Sequence, residues 1–276
     1  MWLALASSLA LLQFNKTISF GLLFIVVILG WENHVLDLHG ILILFTIGIV
    51  CYLRITINNI FISGFAEILL VIMSLLLIFH ALPGFNNQKI IDAVKVGQNS
   101  VPFSMYFNFD KALVPFLLVV CLGSLFTDGI SYKVAIWKWA CLCLSVPVLL
   151  LLATLSGGLK PESHFPVWLP QFILANIFFV SLAEEAFFRG YLQQRLSSII
   201  HPVGALLICA ALFGGVHYAG GPLLVIFASL AGIIYGLAWM WSKRLWVSVL
   251  FHFGLNLCHL LFFTYPILQV HRVITP

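Results

Sequence analysis

Charge is what this sequence has least of. Only 8% of its 276 residues are Asp, Glu, Lys or Arg, whereas 62% are hydrophobic and the mean hydropathy is +1.12. Soluble domains carry about 25% charged residues, so the shortage excludes an ordinary globular protein. No basic run is present, and nucleic-acid binding is excluded with it. Neither Cys-x-x-Cys nor His-Glu-x-x-His occurs. The six cysteines, Cys51, Cys121, Cys141, Cys143, Cys209 and Cys258, all lie in apolar stretches. They read as small buried hydrophobes, not as a zinc or disulfide framework. Period-two alternation is missing, which argues against a membrane barrel. The N-terminus lacks the basic start of a signal peptide: Asn15-Lys16 follows its apolar run, so residues 1–14 read as a membrane segment.

What remains is apolar sequence in ten stretches, at about 2–14, 18–31, 38–53, 60–82, 113–127, 135–155, 169–188, 203–217, 222–241 and 247–265. A spanning helix takes about 20 residues. The expectation is an all-α, polytopic transmembrane bundle of about 8–10 spans, forming one integral-membrane domain over residues 1–276. Residues 1–165 would supply N-terminal helices and a long polar loop, 83–111, without regular structure; residues 166–266 would form a core. Placing the Lys243-Arg244 turn in the cytoplasm puts Arg189, Arg195, Lys133, Lys138, Arg54 and Lys16 on the same side. That distribution obeys the positive-inside rule and suits a multi-pass protein of a bacterial inner membrane. Trp239, Trp241 and Trp246 bracket this turn like an interfacial belt.

Ionisable residues at membrane depth are costly and mark function by default. Glu184-Glu185-x-x-x-Arg189 closes the seventh stretch. On a helix Glu185 and Arg189 share a face and can pair. Glu184 lies about 100° round and is expected to be unpaired, free for chemistry. Glu67 is a further intramembrane carboxylate. Phe213-Gly-Gly-Val-His217 ends a short run before a Gly-Gly-Pro break, and His252-Phe-Gly-Leu-Asn256 puts two polar groups on one helix face. Helix rise places all four groups at compatible depths, in one pocket on the cytoplasmic side of the midplane. Each alone could be structural: Glu185 and Arg189 could simply end a helix, and a histidine could satisfy a carbonyl.

Glu-Glu-x-x-x-Arg, Phe-x-x-x-His and His-x-x-x-Asn, in this order on separate apolar segments, resemble the CPBP family of CAAX-protease and bacteriocin-processing intramembrane proteases. The motifs span Glu184 to Asn256, and the resemblance covers roughly the C-terminal 110 residues. It implies hydrolysis of a peptide bond inside the membrane by a glutamate-type mechanism. Glu184 and His217 would activate water, His252 and Asn256 would stabilise the oxyanion, and Glu185 with Arg189 would support the helix. The implied partner is a membrane-anchored peptide or protein substrate. No metal is expected, since Arg189 would repel a cation. The alternative is zinc on Glu184, His217 and His252, residue types that zinc accepts. A non-catalytic immunity or transport protein is the rival from another class, although no internal repeat of the kind common in transporters is seen.

Overall fold

The computed structural model describes residues 1–127, 129 and 133–269. Hydrocarbon offers backbone N–H and C=O groups no partner, so apolar stretches satisfy them internally as helices. In chain order these are α1 (Trp2–Leu11), α2 (Lys16–Glu32), α3 (Leu38–Thr56), α4 (Ile60–Ile78), α5 (Phe109–Cys121) and α6 (Ile136–Leu155). The helix α7 (Leu169–Ser197), α8 (Pro202–Gly215), α9 (Pro222–Ser242) and α10 (Leu245–Phe262) follow. Side-chain caps set three of the starts. Asn15 accepts from Ile18 N, Asp37 from His39 N and Gly40 N, and Asn59 from Phe61 N and Ile62 N.

Each apolar stretch becomes a helix, but six of the helices (α3, α4, α6, α7, α9 and α10) are long and apolar enough to cross a membrane. The chain is a multi-pass membrane protein. The count falls short of eight to ten because α1, α2, α5 and α8 run only 10, 17, 13 and 14 residues, about 15, 26, 20 and 21 Å of rise. The bundle has two unlike ends. Thr127 bridges Arg244, while Arg54 and Arg195 both donate to Cys121 O, which defines a basic end. At the other end the loop 83–111 is not structureless. It forms a hairpin of β1 (Gln88–Val94) and β2 (Phe103–Phe107), antiparallel and irregular in register.

The hairpin is tied down on both sides. Gly84 turns at φ +87°, where a side chain is disfavoured, and its carbonyl accepts from Asp37 N. Beyond the turn, Ser100 bridges Leu268, Val101 N donates to Ile267 O, and Gln269 N donates to Asn99 O. The segment after α10 is therefore strapped to the hairpin end. Glu162 fastens the same knot, accepting from Asn99 N, Asn99 Nδ2 and Ser100 Oγ.

This knot titrates. Burial opposes ionisation of Glu162, but the bonds from Asn99 and Ser100 and the nearby His164 outweigh it and hold the carboxyl below its ordinary value. Burial also holds the His164 imidazole below its ordinary value, against the pull of Glu162. In both cases the unfolded chain takes up its proton first as pH falls, below about 6.5 for histidine and about 4.3 for glutamate. Stability is therefore lost on acidification. Amide protection at Asn99, Val101 and Gln269 is expected to drop between pH 7 and pH 4, after correction for intrinsic exchange. Constant protection across that range contradicts the assignment.

Two expectations about single residues fail. Trp239 is not an interfacial belt residue: it is 1% exposed, beneath Lys243, whose ammonium lies 4.6 Å from the ring. Only Cys121 and Cys209 are buried cysteines, while Cys141 and Cys143 are exposed on α6. An exposed thiol on a lipid-facing helix meets hydrocarbon, which is why the apolar stretch did not reveal its surface position. Glu67 is paired, accepting from Arg54 Nη2 at 3.0 Å, Tyr191 OH at 2.7 Å and Arg195. It joins α3 and α4 to α7.

Candidate active site

The site is built on α7, which is not a plain α-helix. Residues Ala175–Ser181 and Ala186–Gln193 wind as π-helix on either side of one α turn, Leu182–Glu185. The Leu182 N–H reaches back five residues to Ile177 O. Such wide turns are rare and concentrate at functional sites. They present Asn176, Ser181, Glu184, Glu185 and Arg189 to the interior, all buried.

Glu185 and Arg189 pair at 2.8 Å and both side chains are wholly buried. The guanidinium also donates to Gly232 O at 3.0 Å and is surrounded by the rings of Phe188, Phe213 and Tyr235. Glu185 does more than hold the arginine. It accepts from Ser248 Oγ at 2.5 Å, and its Oε1 lies 2.9 Å from His252 Nδ1. A carboxylate can only accept here, so His252 carries a proton on Nδ1 and turns Nε2 away from Glu185. Tyr235 stacks on the imidazole at 4.6 Å with a 10° interplanar angle, fixing its plane.

Glu184 is not free. Its Oε1 lies 3.3 Å from Lys111 Nζ, and both side chains are largely buried. This lysine comes from the first turn of α5, beside Asp110, which His80 Nδ1 meets at 2.6 Å and to which Asn87 donates at 3.0 Å. The N-terminal half thus reaches into the C-terminal core. His252 and His217 also act on Glu184 electrostatically.

His217 hangs from the end of α8. Its Nδ1 lies 2.7 Å from Phe213 O; a carbonyl only accepts, so Nδ1 carries the proton and Nε2 keeps a lone pair. Asn256 donates from Nδ2 to Asn176 Oδ1 at 3.2 Å, and Ser181 Oγ donates to the same oxygen at 3.1 Å. One amide hydrogen of Asn256 is committed and the other remains.

His217, His252 and Asn256 line one cavity of about 440 Å³, walled by apolar residues of α6, α9 and α10. It runs to Pro266, Ile267 and Leu268, which are strapped to the hairpin end. The expected pocket near the basic end is thereby corrected. His217 lies at the far end of α8, and the cavity follows it towards the hairpin. Lys111, Asn176, Ser248 and His259 are absent from the sequence-level set. Only His259 left a signal there, since His252, Asn256 and His259 recur at helical spacing and all three line the cavity.

Zinc does not fit these residues. Among the described residues, no three His, Cys, Asp or Glu side chains converge closely enough to hold a metal ion. Glu184 is turned to a lysine, and His252 to a glutamate.

Comparison with known proteins gives one finding. Residues 166–258 match the family model described as Type II CAAX prenyl endopeptidase Rce1-like. No curated protein and no solved structure matches. The matched segment is a third of the chain and contains Glu184, Glu185, Arg189, His217, His252 and Asn256. Residues 166–258 are therefore similar to the Rce1-like type II CAAX prenyl endopeptidase family, which is consistent with the resemblance to the CPBP family.

Proposed function

We propose that the protein is an intramembrane endopeptidase that hydrolyses a peptide bond of a membrane-tethered peptide or protein tail. The observation that carries this reading is the convergence of His217, His252 and Asn256 on one apolar cavity, with the buried Glu184 outside its lining but acting electrostatically on both histidines. An extended peptide entering that cavity would present its carbonyl between His217 and the α10 face.

In this mechanism His217, with its free Nε2, and Glu184 take a proton from water as it attacks the carbonyl carbon. The resulting oxyanion accepts from the remaining Asn256 amide hydrogen and from His252 Nε2, when that ring is an imidazolium held by Glu185. Donors of this kind are worth about 3–4 kcal/mol each in the transition state. The proton then passes to the leaving nitrogen as the C–N bond breaks. No metal takes part. Lys111 balances the charge of Glu184, and Asn176 aims Asn256. A bilayer anchor would raise the local substrate concentration at a site that soluble chains rarely reach. We place the protein in the cell membrane, as in a bacterial inner membrane, with the basic end cytoplasmic.

The test compares new protein termini in membranes carrying wild type or Glu184→Gln, with and without a strong chelator. Termini that appear only with wild type, next to apolar or lipidated segments, and persist under chelation are expected. New termini in both membranes would sink the role of Glu184. Loss on chelation with recovery on stoichiometric zinc would restore the metal reading.

A further inference from the structure

A second recess lies outside the catalytic cavity. Helices α6 and α9 pack together, and along their lipid-facing seam runs a groove of about 600 Å³. Trp137, Lys138 and Trp241 line it at the basic end. Deeper in, Cys141, Ser145, Val148 and Leu237 continue it. Leu149 is common to this groove and to the catalytic cavity.

The recess has the amphipathic order of a phospholipid. Lys138 stands near the mouth, exposed, and its ammonium meets only the Trp137 ring, 5.6 Å away. It has no acidic partner among the described residues. The one acidic side chain described at that end, Glu67, is already held by Arg54 and Arg195. Lys138 therefore makes the mouth cationic, and tryptophans flank it as they do at a headgroup boundary. Below it the walls are apolar except for Ser145, whose hydroxyl is spent on Leu142 O.

Length fits as well. From Lys138 to Val148 the helix rises about 15 Å, which is about half of a ~30 Å hydrocarbon core. One acyl chain hung from a headgroup at Lys138 would end beside Leu149.

We propose that the α6–α9 seam is a binding site for an anionic phospholipid of the basic-side leaflet, with its phosphate at Lys138 and one acyl chain in the groove. This site is independent of the chemistry assigned to the catalytic cavity. Basic pockets between membrane helices hold anionic headgroups by the same electrostatics. The larger apolar groove between α2, α3 and α5, of about 790 Å³ with no charged residue in its lining, serves as an internal control.

The experiment uses the full-length protein in phosphatidylcholine nanodiscs doped with a photoreactive lipid bearing a diazirine near one acyl terminus. One arm uses phosphatidylglycerol and the other phosphatidylcholine as the reactive lipid. Adducts are mapped by peptide mass spectrometry. The expected result is enrichment of the glycerol probe over the choline probe at residues 141–152 and 230–237. Lys138→Glu should cut that enrichment about fivefold or more, the worth of one basic group near a charged surface. Labelling at Phe20–Val27 and Ile41–Ile55 should not depend on headgroup, and the variant's helical melting curve should match wild type. Equal labelling of the seam by both probes overturns the proposal. Enrichment untouched by Lys138→Glu overturns it too.

Discussion

Glu184→Gln is expected to lower peptide cleavage by roughly 10²- to 10⁴-fold, the usual contribution of a positioned general base. The same substitution also has a structural cost, because Glu184 is paired with Lys111 at 3.3 Å and both are largely buried. A neutral amide at this position would leave the ammonium without its counter-charge, and removing one member of a buried pair costs about 3–5 kcal/mol. The double variant Glu184→Gln/Lys111→Met leaves neither charge. It should regain most of the lost thermal stability and none of the activity. Melting in detergent, together with cleavage of a membrane-tethered reporter, reads both quantities. A stable and active double variant would remove Glu184 from the chemistry; two equally unstable variants would remove the pair from the stability argument.

Arg189→Met is expected to be the most destabilising single change in the matched domain. The guanidinium is wholly buried, bonded to Glu185 and Gly232 O and enclosed by three aromatic rings. Without it Glu185 keeps Ser248 and His252 but loses its only permanent cation, at a cost of about 3–5 kcal/mol. Arg189→Lys keeps the charge but lacks the planar fork that reaches Glu185 and Gly232 together, so it should recover only part of the loss. A fall in melting temperature for Met no larger than for an exposed control such as Lys138→Met would contradict the assignment.

The sequence displayed what is local. Apolar runs located the ten helices of the described residues, and the four-residue spacing of Glu185 and Arg189 anticipated their pairing because helix geometry alone brings them together. It concealed what the fold assembles from afar. Lys111 and Glu184 are 73 residues apart, and Glu185 and His252 are 67 apart. Neither leaves a periodic trace, so Glu184 looked unpaired and Glu185 looked committed to one partner. The hairpin escaped for another reason. Gln88–Val94 has little alternation, and its pairing with Phe103–Phe107 is irregular in register. Only its fastening to Asp37, Glu162 and the segment after α10 gives it a place.

A π turn holds one residue more than the α turn it replaces, so each wide stretch of α7 is equivalent to an inserted residue that the chain has retained. Asn176 stands in the first such stretch and Glu185 beyond it. They grip Asn256 and His252, which lie one turn apart on helix α10. The extra residue thus sets the phase between two grips on one rod. Were this stretch to rewind as plain α-helix with every residue kept, Glu185 would turn by about 100° against Asn176, so that one grip must open whenever the other closes. Along this helix, the width of a single turn decides which side chains face α10.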